Sequence, residues 1–432
     1  MLHRGSALRV ITTGLAVFSM FFGAGNLIFA VNLGREFQSQ IPPALIGFLL
    51  TGVCLPLVGI VSITQFGGDC RAWFAQAGRW TGGTLYVVIL LIIGPLVPMP
   101  RIVALAYTML ALYLPGGITL PLFATCFVGV TFLCAVAEKR VIELLGGWIS
   151  PLLLLFLAIL VGASLTNPAT VEPSALPLHR VLGKTAVYGY NTTDFITSVY
   201  FGSIIIAILR KNAPPNASGA SINRLCLASS ALGLLLQGVV YVGLAYSGAR
   251  LANSRSTLNE GEVLAAAARN ALGHWGGLVM GAVVALACLS TLIALAALLA
   301  DHLSTYFCRP DEHSPSCHPD ERSEEGSPHV SKHGEILRYA QDDKGCRYRA
   351  ALLLTLLTTG LLANLGLSSI IRLSAPVLNL VHPTIIALAA ANILYKRTGI
   401  QLAKPTVWIV LTVSLYLQQD QLTGFVTALR GG

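Results

Sequence analysis

Two short stretches of this 432-residue chain place glycine or polar residues inside apolar surroundings. The first, FFGAGNLIF at residues 21–29, contains Gly23, Ala24, Gly25 and Asn26. Glycine in a helix interior costs about 1 kcal/mol relative to alanine, so this stretch weakens a helix. A helix that opens here exposes N–H and C=O groups at its two new ends, and such groups bind charged ligands.

The second stretch, YGYNTTDFITSVYFGSIII, begins at Tyr188. Its polar cluster consists of Tyr190, Asn191, Thr192, Thr193 and Asp194. Hydrocarbon offers such groups no hydrogen-bond partners, so they must face a cavity or another helix. Both stretches begin a set of about five apolar segments. The pattern therefore predicts two interrupted helices at matching places of an inverted repeat, with a ligand site between them. The alternative is that Gly23 and Gly25 only let helices pack closely.

Two further groups are candidates for the same site. Arg101 lies in an apolar segment, where it costs about 2.5–3.5 kcal/mol unless it faces a cavity or a partner, and Asp194 is the natural partner. The alternative is that the Arg101 side chain extends to the membrane surface. In ALACLSTLIAL, Ala287, Ser290 and Thr291 offer the oxygen ligands that hard cations prefer. Ser and Thr in helices also often bond to their own backbone, so that alternative stays open.

The composition indicates a membrane environment. The chain is 54% hydrophobic and 11% charged, with a mean hydropathy of +0.71, whereas soluble proteins carry about 25% charged residues. Apolar segments of roughly 20 residues recur, each long enough to cross a bilayer. The sequence therefore predicts an all-α, multi-pass protein in the lipid bilayer. Eleven spans are expected at about residues 8–33, 43–66, 84–113, 118–137, 146–166, 187–209, 222–249, 276–303, 350–371, 374–395 and 405–418.

The basic residues predict the orientation of the chain. If the amino terminus lies in the cytoplasm, most Lys and Arg residues outside the spans lie on the cytoplasmic side, as membrane proteins prefer. The net charge of +9 therefore reflects topology, and no nucleic-acid partner is expected. The sequence contains no GxxxxGK, HExxH or GxSxG motif, so neither an ATP site nor an enzyme is expected.

The chain is expected to form a single transmembrane domain over residues 1–432. Its first repeat covers about 8–166, its second repeat about 187–395, and a final helix lies at 405–418. Residues 309–344 differ from their surroundings because they hold nine of the nineteen acidic residues. This composition predicts a disordered cytoplasmic insert. The Cys and His residues of the insert match no common zinc-binding spacing, so no zinc site is expected there.

Five stretches together resemble the signature sequences of bacterial branched-chain amino acid:cation symporters: FFGAGNLIF, GP…PRI, GYNTTD, VALACLST and ANLGLSSIIRLSAPVLNLVHP. The likeness covers about residues 8–395 except the insert. It implies a LeuT-type fold of five plus five inverted helices, with helices 1 and 6 broken. It also implies a bacterial cytoplasmic (inner) membrane location and uptake of leucine, isoleucine or valine with Na⁺ or H⁺. No cofactor besides the coupling ion is implied, and the oligomeric state stays open.

The resemblance also implies two sites, carried over by position. The substrate site would contain Gly23, Ala24, Gly25, Asn26, Tyr190, Asn191, Thr192, Thr193 and Asp194, to which we add Arg101. The Na⁺ site would contain main-chain carbonyl groups near Ser19 and Phe22, together with Ala287, Ser290 and Thr291.

The chain departs from the usual motifs of that family in three places, one of which is GYNTTD, where the family usually has GYLTMD. Ala30 and Val31 stand where the family usually has two prolines, and residues 102–108 have lost most of a polar series that usually follows the arginine. A transport-inactive member that binds an amino acid as a sensor is therefore an alternative function. A membrane enzyme is a third class, and two catalytic side chains converging in one cavity would indicate it.

One prediction follows for the acidic insert. Deleting residues 309–344 should leave amino-acid uptake essentially unchanged, because a polar segment that buries no apolar surface contributes little to a membrane fold. Uptake by cells expressing the deletion variant, normalised to the amount of protein in the membrane, checks this. A variant that reaches the membrane but does not transport would contradict it.

Overall fold

Helices account for nearly all of the residues that this computed structural model describes, which are 2–111, 114, 117–137, 141–166, 176–214, 217–250, 260–306 and 330–419. Their bounds are α1 (Leu2–Phe21), α2 (Ala24–Phe37), α3 (Ile41–Leu49), α4 (Leu55–Thr64), α5 (Cys70–Ala75), α6 (Arg79–Leu91), α7 (Pro98–Leu110), α8 (Leu120–Ala135), α9 (Val141–Leu144), α10 (Ser150–Thr166), α11 (Leu178–Tyr190), α12 (Asp194–Lys211), α13 (Gly219–Ala249), α14 (Glu260–Leu272), α15 (Gly276–Tyr306), α16 (Val330–Ala363), α17 (Leu367–Thr398) and α18 (Ala403–Leu417).

The described helices confirm the all-α membrane architecture. Within these ranges, seven helical segments are long and apolar enough to cross a bilayer, judged by length and composition, and the bent pair α11 and α12 makes eight. Three shorter apolar helices cover Ala7–Phe21, Leu120–Ala135 and Ala403–Leu417. The number of eleven spans therefore stays a prediction.

The first expected break lies between α1 and α2, where Phe22 and Gly23 separate the two helices. Gly23 adopts an extended conformation, with φ −99° and ψ 175°. The break is shorter than the sequence suggests, because Ala24, Gly25 and Asn26 already form the first turn of α2. These residues therefore present the N-terminal end of a helix, whose first N–H groups have no partner within the helix.

The second expected break separates α11 from α12 at residues 191–193, and the two helix axes differ by 43°. Thr193 has a left-handed backbone conformation with φ +67°. A β-branched residue rarely adopts this conformation, which costs of order 1–3 kcal/mol. The surrounding packing must hold it in place, since α12 is buried on all sides from Asp194 to Ile206.

A third break lies between α6 and α7, where the sequence predicts one continuous helix over 84–113. A wide turn covers Ile92–Leu96, and Gly94 has non-helical backbone angles of φ −104° and ψ −118°. Pro95 adds to the break because it has no N–H to donate. A Cβ on Gly94 would lie 2.2 Å from the Leu299 side chain, so α15 packs directly against this break.

Two other helix boundaries differ from the expected ones. The expected span over 350–371 ends early, because α16 stops at Ala363 and Gly366 turns the chain with φ +77°, which favours glycine. Helix α14 has no counterpart among the expected spans. Its buried Leu264 and Ala268 pack into the core, and the helix contacts α10 and α15.

The expected insert over residues 309–344 falls partly outside the described residues. Residues 307–329 lie outside them, whereas 330–344 belong to α16. The part of the expected disordered segment that the structure describes is therefore helical.

The packing of α2 against α13 gives a prediction about stability. A Cβ on Gly34 would lie 1.7 Å from the Ala245 carbonyl oxygen, so Gly34→Ala must push the two helices apart. Overpacking of this kind typically costs 1–3 kcal/mol. Thermal unfolding of the purified protein in detergent should show a Tm several degrees lower. Gly129→Ala in α8 is the matched control, because its Cβ meets open space. Equal Tm values for both variants would contradict the close packing.

Candidate functional site

A buried polar cluster joins the two interrupted helices. The Asn26 amide of α2 donates from Nδ2 to Asp194 Oδ2 at 3.0 Å and to the Phe21 carbonyl oxygen at 3.0 Å. Asn26 and Asp194 are 4% and 6% exposed. Asp194 is the first residue of α12, where the helix N-terminus favours a negative charge. The structure thus brings together one candidate residue from each of the two stretches.

Helix α13 completes the cluster with two residues that the sequence analysis missed. Gln237 Nε2 donates to Asp194 Oδ2 at 3.0 Å and to the Tyr241 hydroxyl at 2.5 Å. Asn26 Nδ2 donates to the same hydroxyl at 2.7 Å. Gln237 and Tyr241 are fully buried. The signal in the sequence is the glutamine inside GLLLQGVVYV, with the tyrosine one helical turn later.

A cavity lies against this cluster and is lined by residues from both breaks. Its polar lining consists of Gly23, Gly25, Asn26, Arg101, Asn191, Thr192, Thr193, Asp194, Thr197 and Thr291. Most of the residues expected in the substrate site therefore share one cavity. Tyr190 instead packs its ring against His382, with the ring centroids 4.5 Å apart, and Ala24 occupies the first position of α2.

The rest of the cavity wall is apolar and comes from six helices and the α6–α7 break. It consists of Met20, Phe21, Phe29, Val97, Pro98, Ile102, Leu105, Phe201, Leu295 and Leu378. A cavity that combines charged groups, a helix N-terminus and a large aliphatic wall suits a small ligand with a charged end and an apolar side chain.

Arg101 and Asp194 carry opposite charges and line the same cavity. Arg101 lies in the first turn of α7, directly after the break between α6 and α7. Arg101 lines a cavity, as we expected because burying an arginine in a membrane without a cavity or a partner is costly.

The backbone next to the first break offers two carbonyl oxygens. In a continuous helix, the N–H groups of Gly23 and Asn26 would bond to the carbonyl oxygens of Ser19 and Phe22. Here Gly23 N–H donates to the Phe21 carbonyl oxygen at 3.0 Å, and Asn26 N–H donates to the Gly23 carbonyl oxygen at 3.1 Å. The Ser19 and Phe22 carbonyl groups have therefore lost their usual helical donors, and these are the two that the family resemblance implies as cation ligands.

Helix α15 faces this break with hydroxyl groups. A Cβ on Gly23 would lie 3.2 Å from Thr291 Oγ1. This oxygen is buried and has no hydrogen-bond partner among the described residues. The Ser290 hydroxyl is also buried and donates to the Ala287 carbonyl oxygen at 3.0 Å. Neutral oxygens of this kind suit a small hard cation.

The described part of the chain contains no group of three or more His, Cys, Asp or Glu side chains that could hold a metal ion. The Cys and His residues between 307 and 329 lie outside the described residues.

Comparison with protein families gives a match over nearly the whole chain. The model of a family described as "Branched-chain amino acid transport protein" matches residues 6–310 and 339–429. The gap between the two matched ranges, residues 311–338, falls inside the acidic segment at 309–344.

Individual relatives cover similar lengths. The branched-chain amino acid permease BraB of Bacillus subtilis (strain 168) is 27% identical over 393 residues, which is 89% of this chain and 80% of the relative. The branched-chain amino acid permease BrnQ of the same organism is 28% identical over 403 residues, which is 90% of this chain and 82% of the relative.

Solved structures show the fold. Mhp1, a transporter of the nucleobase-cation-symport-1 family, has a TM-score of 0.50 at 13% identity, covering 96% of this chain and 93% of Mhp1. MhsT in complex with L-phenylalanine has a TM-score of 0.50 at 14% identity, covering 94% of this chain and 98% of MhsT. Both are LeuT-fold transporters, so the expected LeuT-type fold is confirmed.

The shared cavity predicts that Arg101 and Asp194 are coupled. If the two charges attract each other across the cavity, Arg101→Ala and Asp194→Ala should each be destabilising, because each variant removes that attraction. The double variant should lose less stability than the sum of the two single losses. Thermal unfolding of the four purified proteins tests this coupling. Strictly additive losses would show that the two side chains do not interact.

Proposed function

Because the chain belongs to the branched-chain amino acid transport protein family, we propose that it is a secondary symporter that imports leucine, isoleucine or valine together with Na⁺. The family consists of transport proteins rather than enzymes, and the chain is a multi-pass membrane protein. We further propose that it lies in the bacterial cytoplasmic membrane with its amino terminus in the cytoplasm, as its basic residues favour.

The substrate in this proposal binds between the two breaks. Its carboxylate lies at the N-terminus of α2, where the first N–H groups lack helical partners and the helix dipole favours a negative charge. Its ammonium group faces the Asp194 carboxylate, which lines the same cavity. Both ends of the amino acid then meet a group of opposite sign.

The aliphatic side chain of the substrate lies against the apolar wall. Ile102 and Leu105 of α7, with Phe29 of α2, belong to that wall. Burying a branched aliphatic side chain gains about 1.5–3 kcal/mol, whereas a polar side chain would lose its hydrogen bonds to water. This difference accounts for a preference for leucine, isoleucine and valine.

We propose Na⁺ as the coupling ion because of the neutral oxygens around the first break. The Ser19 and Phe22 carbonyl groups have lost their helical donors, and the Thr291 hydroxyl lies across from Gly23. Together with the Ala287 carbonyl and the Ser290 hydroxyl, they would provide five oxygen ligands. The Thr291 hydroxyl oxygen is buried and has no hydrogen-bond partner in the described ranges. A bound ion would give this oxygen the polar partner that buried groups usually have.

The ion gradient supplies enough free energy for accumulation. One charge moving down 100 mV releases about 2.3 kcal/mol. A tenfold Na⁺ gradient adds about 1.4 kcal/mol. Together they support an accumulation of several hundredfold, so the proposal needs no ATP and no cofactor other than the coupling ion.

Counterflow tests the proposal as a whole. Purified protein in liposomes loaded with unlabelled leucine should take up labelled leucine faster with Na⁺ than with choline on both sides of the membrane. Exchange that ignores Na⁺ but follows an imposed pH gradient would assign H⁺ as the ion. Protein that reconstitutes in the folded state and exchanges no branched-chain amino acid would overturn transport and leave the alternative of an amino-acid-binding sensor.

The ion site gives a specific prediction. The double variant Ser290→Ala, Thr291→Ala removes two of the five oxygen ligands and keeps helix propensity. The Na⁺ concentration for half-maximal uptake should rise at least tenfold, while the KM for leucine at saturating Na⁺ changes less.

A control for this prediction is Thr358→Ala in α16, because the exposed Thr358 hydroxyl donates to the Leu354 carbonyl oxygen of its own helix. An unchanged Na⁺ dependence in the double variant would show that Ser290 and Thr291 only pack α15 against its neighbours.

A further inference from the structure

We propose that Gln237 and Tyr241 of α13 are positioning residues, which orient Asn26 and Asp194 for substrate binding without contacting the substrate. The inference rests on the proposed function and adds a helix that neither the sequence motifs nor the family comparison pointed to.

The two α13 residues lie behind the cavity wall. Asn26 and Asp194 line the cavity, whereas Gln237 and Tyr241 are fully buried and do not belong to its described lining. They are linked to the cavity lining by hydrogen bonds, since Gln237 Nε2 lies 3.0 Å from Asp194 Oδ2 and the Tyr241 hydroxyl lies 2.7 Å from Asn26 Nδ2. Any effect they have on a ligand must therefore pass through the two residues that line the cavity.

The donors and acceptors of the cluster fix its geometry. The Tyr241 hydroxyl accepts from Asn26 Nδ2 at 2.7 Å and from Gln237 Nε2 at 2.5 Å, so its own proton is directed elsewhere. We infer that it points towards the Asp194 carboxylate, because both amides that bond to the hydroxyl also bond to Asp194 Oδ2. The Gln237 amide is thus held at two points, on the carboxylate and on the hydroxyl. The two N–H groups of the Asn26 amide face these two acceptors and also the Phe21 carbonyl oxygen.

The cluster lies between the two half-helices that form the site. Asn26 belongs to α2 and Asp194 to α12, the two half-helices whose ends form the site. Helix α13 bonds to both and packs closely on α2, where a Cβ on Gly248 would lie 2.0 Å from the Val31 carbonyl oxygen. The α13 pair therefore sets the spacing between the two half-helix ends that the substrate must bridge.

Tyr241→Phe tests the hydroxyl without removing the ring. The ring packs against Phe22 and Phe48, with centroid distances of 6.0 and 4.8 Å, and a phenylalanine keeps both contacts. Each amide retains Asp194 as an acceptor, so the variant should fold. Gln237→Met removes the amide of Gln237 and nearly conserves its volume, which buried positions tolerate best.

The experiment measures equilibrium binding of labelled leucine to purified wild-type protein and variants at saturating Na⁺, together with their Tm values. Both variants should bind leucine roughly tenfold more weakly or worse, as expected when a hydrogen bond that orients a charged group is lost, with Tm within a few degrees of wild type. Tyr246→Phe is the matched control, because it removes a hydroxyl from a residue of the same helix that is 39% exposed. It should leave leucine binding unchanged.

If Gln237 and Tyr241 had only a structural role, both variants would show a lower Tm. The protein that remains folded would then bind leucine with unchanged affinity. A double-mutant cycle adds a second readout: once Asp194→Asn is present, adding Tyr241→Phe should weaken binding by much less than tenfold. Wild-type affinity in both single variants, or additive losses in the cycle, would overturn the inference alone. Wild-type protein that binds no branched-chain amino acid would overturn the proposed function and this inference with it.

Discussion

The need to satisfy every backbone N–H and C=O group in hydrocarbon is the constraint on which this structure depends. A continuous helix meets it without help, so each interruption must be compensated by neighbouring groups. At the first break, Gly23 N–H and Asn26 N–H find nearby carbonyl acceptors, and the side chain of Asn26 bonds to the Phe21 carbonyl oxygen. The carbonyl oxygens that remain available are those of Ser19 and Phe22. The cation site in our account is therefore a consequence of how the break is closed.

The same constraint applies to the buried carboxylate. Asp194 is buried away from water, and amide groups from α2 and α13 donate hydrogen bonds to one of its carboxylate oxygens. Such hydrogen bonds offset part of the cost of burial, and a positively charged ligand in the adjoining cavity would offset more. In our proposal, the ammonium group of the substrate supplies that positive charge. This accounts for why the site lies between the two breaks and not elsewhere in the bundle.

The sequence predicted the parts of the site where glycine or polar residues interrupt an apolar helix. Glycine and polar residues inside apolar segments located both breaks, and the family resemblance placed Asn26 and Asp194 in one site. It did not predict Gln237 and Tyr241, because their roles depend on which face of a long apolar helix meets the cluster. The break at Gly94 and helix α14 were missed for a similar reason, since both depend on packing against α15. The roles of the Na⁺ ligands stay predictions.

The central claim is that substrate and ion occupy neighbouring sites built on one interrupted helix. Thermodynamic linkage requires that each ligand then raise the affinity for the other by the same factor. Calorimetric titration of the purified protein with leucine at several Na⁺ concentrations, and with Na⁺ at several leucine concentrations, measures both factors. Our account predicts two equal factors of roughly five or more, a typical size for coupled sites. Leucine binding with the same affinity in Na⁺ and in choline would contradict it.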